Sequence, residues 1–264
     1  MHSVGYFRGL NDFRLYYQCW TPPTGPHAIL LVAHGFAEHS GRYGNLVDYF
    51  VPRGWAVCAP DHRGHGQSDG ARAQVDSFSD YVDDLKTFLD IMRQEYPGKK
   101  VFLVGHSMGS AIALLFAARF QDQLAGLVTS GGGMSRPDEP PPAPVAAGRP
   151  LDTGFLSRDP EVIKAYVNDP LVYRGPIPAN SGIPGMRSAV TAAAPMIKLP
   201  ALIMAGNDVA DGPRSRVLFE FLGSEDKTLK LYDGLRHEIF NEPEYPQVLA
   251  DLSAWLESHL VTSS

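Results

Sequence analysis

The stretch Val101-Phe-Leu-Val-Gly-His-Ser-Met-Gly-Ser110 decides the fold of this chain. Its apolar, β-branched beginning predicts a buried strand, and residues 110–118 predict a helix directly after it. Ser107 therefore lies at a sharp strand-to-helix turn, flanked by Gly105 and Gly109 because a Cβ atom at either position would collide between the two elements. This G-x-S-x-G pattern predicts a nucleophile elbow, in which strained backbone presents a serine hydroxyl. A glycine-rich structural turn is the alternative interpretation.

Composition and charge restrict the class of protein. The chain has 264 residues, 44% of them hydrophobic, which is enough for one large α/β domain with an inserted subdomain. A net charge of −6 and scattered basic residues argue against nucleic acid as a partner. We find no secretion signal and no membrane-spanning run, and we expect a cytoplasmic protein. Cys19 and Cys58 form no metal or redox spacing and are interpreted as packing thiols.

Strand-like and helix-like patterns alternate along most of the chain. This alternation predicts a mainly parallel central sheet that is covered by helices on both faces. The apolar runs that predict buried strands lie at 28–33, 55–60, 101–105, 124–130 and 201–205, with a further strand at 228–232. The amphipathic patterns that predict helices lie at 77–96, around 215–222 and at 245–260.

The alternation breaks in residues 132–198, which we interpret as a cap inserted over the carboxyl edge of the sheet. The proline-rich run Pro137–Pro144 cannot be helical, whereas residues 159–167 can. The core of the predicted fold is then formed by residues 1–131 and 199–264.

A serine hydroxyl becomes an effective nucleophile when a base takes its proton and a third group orients that base. In elbow folds the order along the chain is serine, acid, histidine. Of the nine histidines, only His237 and His259 follow the elbow. His237 lies in the loop between the last predicted strand and the last helix, whereas His259 is near the end of that helix. We therefore predict that His237 is the base.

The acid should follow the strand predicted at 201–205. Asp208 and Asp211 both lie in that region. We predict Asp208, because it is nearer to the end of the strand and a later residue would lie in the loop or the next helix. Asp211 is the alternative.

Two backbone N–H groups are predicted to stabilise the oxyanion that forms during acyl transfer. One belongs to Met108, directly after the nucleophile, and the other to Phe36, in the loop after the strand at 28–33. This loop reads His34-Gly35-Phe36 and therefore departs from the His-Gly-Gly-Gly type of lipase and esterase.

Four histidines in two loops raise the question of a metal site. These are His34, His39, His62 and His65, and no cysteine or carboxylate completes a recognisable ligand spacing with them. No glycine string continues into the Gly-Lys-Ser/Thr of a phosphate-binding loop. We expect neither a metal nor a cofactor.

Several segments together resemble the monoacylglycerol lipases of the α/β-hydrolase superfamily. The matching segments are His34–Tyr43, Asp61–Ser68, Gly105–Gly109, Leu156–Val162 and Tyr232–Glu238. The H-G-x-x-E-H-x-x-R-Y string in the first of them is far more specific than the elbow. The resemblance extends over nearly the whole chain and implies the α/β-hydrolase fold.

The resemblance also implies a substrate and roles for particular residues. It implies a triad of Ser107, Asp208 and His237 and, as partner, a small lipid ester, a glycerol that carries one fatty acyl chain. It further implies that Glu38 and Arg42 form the polar end of the pocket near the glycerol. A salt bridge that braces the loop is the alternative interpretation of these two residues.

The sequence departs from the family in two places. The family places its acid three residues after the glycine that ends the strand, whereas Asp208 is two residues after Gly206. Where relatives carry an apolar cap helix that leans on membranes, this chain has Pro137–Pro144. We therefore expect at most weak peripheral membrane contact through the cap, and the sequence indicates no oligomeric state.

Three functional hypotheses follow. The first is a serine esterase that converts monoacylglycerol to glycerol and fatty acid through an acyl-enzyme on Ser107. The second is a broader carboxylesterase that acts on short-chain or aromatic esters with the same residues. The third is a non-catalytic binding module; the coexistence of Ser107, His237 and a nearby aspartate argues against it.

Overall fold

A computed structural model describes residues 1–138 and 152–260 of the chain. In this part of the chain eight strands form one sheet with the order β1-β2-β4-β3-β5-β6-β7-β8. The strands are β1 (His2–Arg8), β2 (Arg14–Trp20), β3 (Ala28–Ala33), β4 (Trp55–Pro60), β5 (Lys100–His106), β6 (Gly126–Ser130), β7 (Ala201–Gly206) and β8 (Lys227–Tyr232). The pairs that involve β1 and β2 are antiparallel, and all other pairs are parallel.

Helices cover both faces of the sheet, as predicted. The helices are α1 (Gly44–Phe50), α2 (Phe78–Glu95), α3 (Met108–Phe120), α4 (Pro160–Asn168), α5 (Ile183–Ala193), α6 (Asp211–Phe221) and α7 (Tyr245–Leu260). Apolar residues of α1 and α7 pack on one face, and those of α2, α3 and α6 pack on the other. The predicted α/β-hydrolase architecture is confirmed.

The central strands read as continuous apolar runs because both of their faces are buried. In β3 the side chains of Ile29 and Leu31 join the core on the side of α2 and α3, whereas Leu30 and Val32 join the core on the side of α1 and α7. All four side chains are fully buried. Alternation along a strand therefore supplies apolar residues to two separate cores, which is the expected behaviour of a doubly covered parallel sheet.

The segment between β6 and β7 contains α4 and α5. Its predicted helix at 159–167 corresponds to α4. Most of the proline-rich run Pro137–Pro144 lies outside the described residues. The division into a core of residues 1–131 and 199–264 and a cap of residues 132–198 stays a prediction.

The two cysteines correct one sequence interpretation. Cys19 on β2 lies directly opposite Cys58 on β4, with a Cα–Cα distance of 4.1 Å, and the two sulfurs form a disulfide. The interpretation of these residues as separate packing thiols is therefore wrong. The pairing follows from the antiparallel register of β2 on β4, which brings together residues 39 positions apart. No Cys-x-x-Cys spacing in the sequence indicates it.

Within residues 1–138 and 152–260, no helix combines the length and the apolar character needed to cross a membrane.

We predict that Leu30→Ala destabilises the fold by about 2–5 kcal/mol, because it opens a cavity in the core beneath α1 and α7. The matched control is Val4→Ala on edge strand β1, where the side chain is 56% exposed, and its effect should stay within about 0.5 kcal/mol. Urea unfolding followed by circular dichroism measures both. Equal effects of the two substitutions would contradict the assignment of Leu30 to the core.

Candidate active site

The predicted elbow is present between β5 and α3. Strand β5 ends at His106, helix α3 begins at Met108, and Ser107 adopts φ 54° and ψ −116°. A Cβ atom on Gly105 would overlap the carbonyl of Gly109, and one on Gly109 would overlap the carbonyl of Ala33. The helix can therefore approach the strands closely only with glycine at both positions, and this approach forces Ser107 into a strained conformation with positive φ.

His237 lies in the loop between β8 and α7, as predicted. Its Nδ1 lies 2.6 Å from Oδ2 of Asp211, and both side chains are about one-tenth exposed. Because an ionised carboxylate only accepts hydrogen bonds, Nδ1 carries the proton and Nε2 is left as the basic nitrogen. The other candidate, His259, lies in the last turn of α7, where its Nε2 contacts Asp226.

The carboxylate that contacts His237 belongs to Asp211, so the predicted contact of Asp208 with His237 is wrong. Asp208 has an exposed side chain, and its backbone N–H donates to the carbonyl of Leu235 (3.1 Å). This bond holds residue 208 against the loop that carries His237 but leaves its carboxyl group in solvent. The carboxylate that points inward lies three residues later, in Asp211 at the beginning of α6.

Helix α6 explains why Asp211 is favoured. The sequence predicted this helix around residues 215–222, but it begins at Asp211. A carboxylate in the first turn of a helix interacts favourably with the unpaired N–H groups and the helix dipole. Pro213 is the signal that could have located this start, because proline is tolerated in the first turn, where its missing N–H costs nothing.

The two predicted oxyanion donors lie beside the serine. Met108 is the first residue of α3, and Phe36 follows β3 in the next loop. Within the described parts of the chain, the backbone N–H groups of Phe36 and Met108 donate to no protein acceptor. Both residues line a cavity together with Ser107. Their role as oxyanion donors stays a prediction.

Two cavities meet at Ser107. The smaller has a volume of about 140 Å³ and is lined by Glu38, Arg42 and Glu238 among other residues. The larger has a volume of about 370 Å³, and Met108, Ala111, Met134, Met186 and Val190 contribute its apolar wall. Ser107, His237 and Phe36 line both cavities. The reactive hydroxyl therefore lies between a smaller space, whose wall includes the charged side chains of Glu38, Arg42 and Glu238, and a larger space whose wall includes several methionine and aliphatic side chains.

A buried ionic cluster forms the polar wall of the smaller cavity. Arg42 donates two hydrogen bonds to Glu238 (2.7 and 2.8 Å) and one to Glu38 (2.9 Å). Glu38 also accepts hydrogen bonds from the backbone N–H of Gly35 and from the hydroxyl of Tyr43. Glu38 and Arg42 therefore brace the loop and line the cavity at once, so both interpretations describe part of their geometry.

Glu238 completes this cluster, and no local sequence pattern indicates its part in it. It directly follows His237 in sequence and lies 196 residues from Arg42, so only the folded chain brings the pair together. The planar guanidinium of Arg42 also lies over the ring of Tyr166, 4.6 Å from its centroid. The cluster thereby connects the loop after β3 with the loop after β8 and with α4.

Opposite charges dominate the titration of this cluster. Burial alone would raise the pKa of Glu38, but Arg42 and smaller contributions from nearby groups lower it from 4.5 to about 2. Burial alone would lower the pKa of Arg42, and the carboxylates of Glu238 and Glu38 raise it instead. Both groups therefore remain charged although they are buried, because each is paired.

The remaining loop histidines lie beneath the site and are buried. His34 Nε2 accepts a hydrogen bond from the backbone N–H of His62 (2.9 Å), and its ring packs against the rings of His62 and His65. Burial lowers the pKa of all three side chains, that of His65 to about 3. Across the ranges that the structure describes, no group of three or more potential ligands could hold a metal ion.

The chain is similar in sequence and fold to known proteins. Residues 24–244 match the family described as serine aminopeptidase, S33. The chain is 37% identical to a monoacylglycerol lipase of Mycolicibacterium smegmatis over 96% of each chain, and 35% identical to human monoglyceride lipase over 94% of this chain and 88% of that one. The crystal structure of a monoacylglycerol lipase from Paleococcus ferrophilus superposes with a TM-score of 0.77 at 30% identity, covering 93% of this chain and 99% of that one.

We predict that Asp211→Asn lowers kcat for ester hydrolysis by about 10⁴-fold, because the amide no longer favours the tautomer with a basic Nε2. Asp208→Asn is the matched control and should leave kcat within about twofold, since exposed side chains away from a site have small effects. Steady-state kinetics on a p-nitrophenyl ester compares them. A large loss with Asp208→Asn alone would contradict the geometry.

The lowered pKa of Glu38 predicts a pH-dependent contribution to stability. A group whose pKa is lower in the folded state stabilises the fold above its unfolded pKa, and the contribution is lost as the pH falls through the folded pKa. The free energy of unfolding of Glu38→Gln should be about 3 kcal/mol lower than that of wild type near neutral pH, and this difference should narrow below about pH 4.5. Urea unfolding at several pH values measures it; a difference that does not change between neutral and acidic pH would oppose this account.

Proposed function

This chain belongs to the serine aminopeptidase S33 family of α/β-hydrolases, together with the monoacylglycerol lipases, and we propose that it is a serine esterase that cleaves monoacylglycerols. The products are glycerol and a free fatty acid. The relatives named above support the substrate class, and the two cavities beside Ser107 support it independently.

The observation that carries the proposal is the position of Ser107 between two unlike cavities. A monoacylglycerol has a compact polar end and a long apolar end, joined by the ester that reacts. The cavity of about 140 Å³ suits the glycerol, because Glu38, Arg42 and Glu238 in its wall can bind hydroxyls, and the cavity of about 370 Å³ has the greater room and the methionine and aliphatic side chains that suit the acyl chain. An ester bound in this way places its carbonyl carbon beside the Ser107 hydroxyl.

The first half of the reaction acylates the enzyme. His237 Nε2 takes the proton of Ser107 as Oγ attacks the ester carbonyl, and Asp211 stabilises the resulting imidazolium. The backbone N–H groups of Phe36 and Met108 stabilise the oxyanion of the tetrahedral intermediate. The intermediate collapses as the protonated His237 gives its proton to the leaving glycerol oxygen, and the acyl group stays on Ser107.

The second half releases the fatty acid. His237 removes a proton from a water molecule, which attacks the acyl-enzyme at the same carbonyl carbon. The same two N–H groups stabilise the second oxyanion. Collapse of this intermediate returns the proton to Ser107 and frees the fatty acid into the larger cavity.

Glu38 and Arg42 are proposed to define the polar end of the site. Their charges are already paired with each other and with Glu238. A buried cluster of fixed charges offers oriented acceptors and donors to glycerol hydroxyls without a rearrangement of the loops. Cytoplasmic location and weak peripheral membrane contact through the cap remain predictions from the sequence.

Substrate preference tests the proposal directly. We expect the highest kcat/KM for monoacylglycerols in a panel that also contains di- and triacylglycerols and short p-nitrophenyl esters, because only a monoacylglycerol fills both cavities. Ser107→Ala is the control for background hydrolysis. Efficient cleavage of the short esters with little turnover of any monoacylglycerol would favour the broader carboxylesterase instead.

A further inference from the structure

The loop that carries one oxyanion donor contains strained backbone. Ala37, directly after Phe36, has φ +70°, which is unfavourable for a residue with a Cβ atom. The N–H of Phe36 belongs to the peptide group between Gly35 and Phe36, in the same turn as Ala37. A change in the backbone angles of Ala37 would therefore reorient this turn and with it the Phe36 N–H. Such a conformation persists only when its surroundings hold it.

Part of what holds this loop comes from the segment after α4. The backbone N–H of Tyr173 donates to the carbonyl of Ala37 at 2.8 Å. The ring of Tyr173 also meets the ring of Phe36 edge to face, with 6.4 Å between the centroids. The strained residue and the donor residue therefore both contact one residue that lies far away in the sequence.

A second contact fixes the other end of the loop. His39 Nδ1 accepts a hydrogen bond from the backbone N–H of Gly41, so Nε2 carries the proton and donates to Asp169 Oδ2 at 2.8 Å. The other oxygen of Asp169 accepts from the backbone N–H of Leu171 at 2.8 Å. The His39 side chain is only 8% exposed, so this hydrogen bond is largely shielded from water.

We propose that Asp169, through His39, is a positioning residue that keeps the Phe36 N–H aimed at the oxyanion, so that the segment after α4 sets the rate of acylation. The inference rests on the proposed function. The Asp169 carboxylate touches neither the substrate nor the reacting atoms and acts only on the loop that carries Phe36. If this segment were displaced, an ester would therefore still bind but would react slowly.

Asp169→Asn is the sharpest test. The amide oxygen can still accept from the backbone N–H of Leu171, but the amide NH₂ then faces the Nε2–H of His39, so two donors meet and the hydrogen bond to His39 is lost. Loss of a whole oxyanion donor costs about 10²–10³-fold in kcat, and a misaimed donor should cost about 10- to 100-fold. KM should change little, since the contact is made to the oxyanion and not to the ground state. The rate of Ser107 labelling by a fluorophosphonate should fall in parallel with kcat.

Three further variants separate positioning from general damage. Glu161→Gln on α4 alters an exposed pair with Lys164 and should leave kcat unchanged. His39→Gln should repeat the loss, and combining it with Asp169→Asn should add little, because both remove one interaction. Ala37→Gly relieves the strain at φ +70° and should shrink the effect of Asp169→Asn.

The outcomes distinguish this inference from the proposed function. Wild-type protein that cleaves no ester overturns both. An active wild type with unchanged kcat in Asp169→Asn overturns the positioning role alone, as does a loss that Ala37→Gly does not reduce. Thermal unfolding of each variant identifies any loss that comes from unfolding, and a folded His39→Gln variant with full kcat also contradicts the inference.

Discussion

The close approach of α3 to β3 and β5 is the constraint on which the site depends. Gly105 and Gly109 permit this approach, and the turn between them forces Ser107 into a strained conformation with positive φ. The same packing places the N–H of Met108 at the beginning of a helix, where it has no intrahelical partner. One steric arrangement thus accounts for the exposed hydroxyl and for a polar N–H beside it.

Around this turn, the loops at the carboxyl edge of the sheet are held together by buried polar contacts. Arg42 joins the loop after β3 to the loop after β8, because it pairs with both Glu38 and Glu238. Asp211, at the beginning of α6, orients His237. Removal of one partner from any of these contacts would be destabilising, because it leaves a buried charge unpaired. The site is therefore built from interactions that are satisfied only when all the loops are in place.

The segment after α4 extends this dependence beyond the sheet. Asp169 and Tyr173 contact the loop that carries Phe36, and Tyr166 packs against Arg42. Helix α4 and the segment after it therefore contact both the loop beside Ser107 and the wall of the smaller cavity.

The sequence by itself determined the strands, the elbow and the position of His237, because each follows from a local pattern: apolar runs buried on both faces, glycines that flank a turn, and chain order. Proximity to the end of the strand favoured Asp208 over Asp211, but the turn of a short loop before α6 decides which carboxylate points inward. The tertiary structure brings Asp211 against His237, and it also pairs Arg42 with Glu238 and Cys19 with Cys58. These contacts join residues that are distant along the chain, and their geometry depends on strand register and loop packing, which no short stretch of sequence specifies.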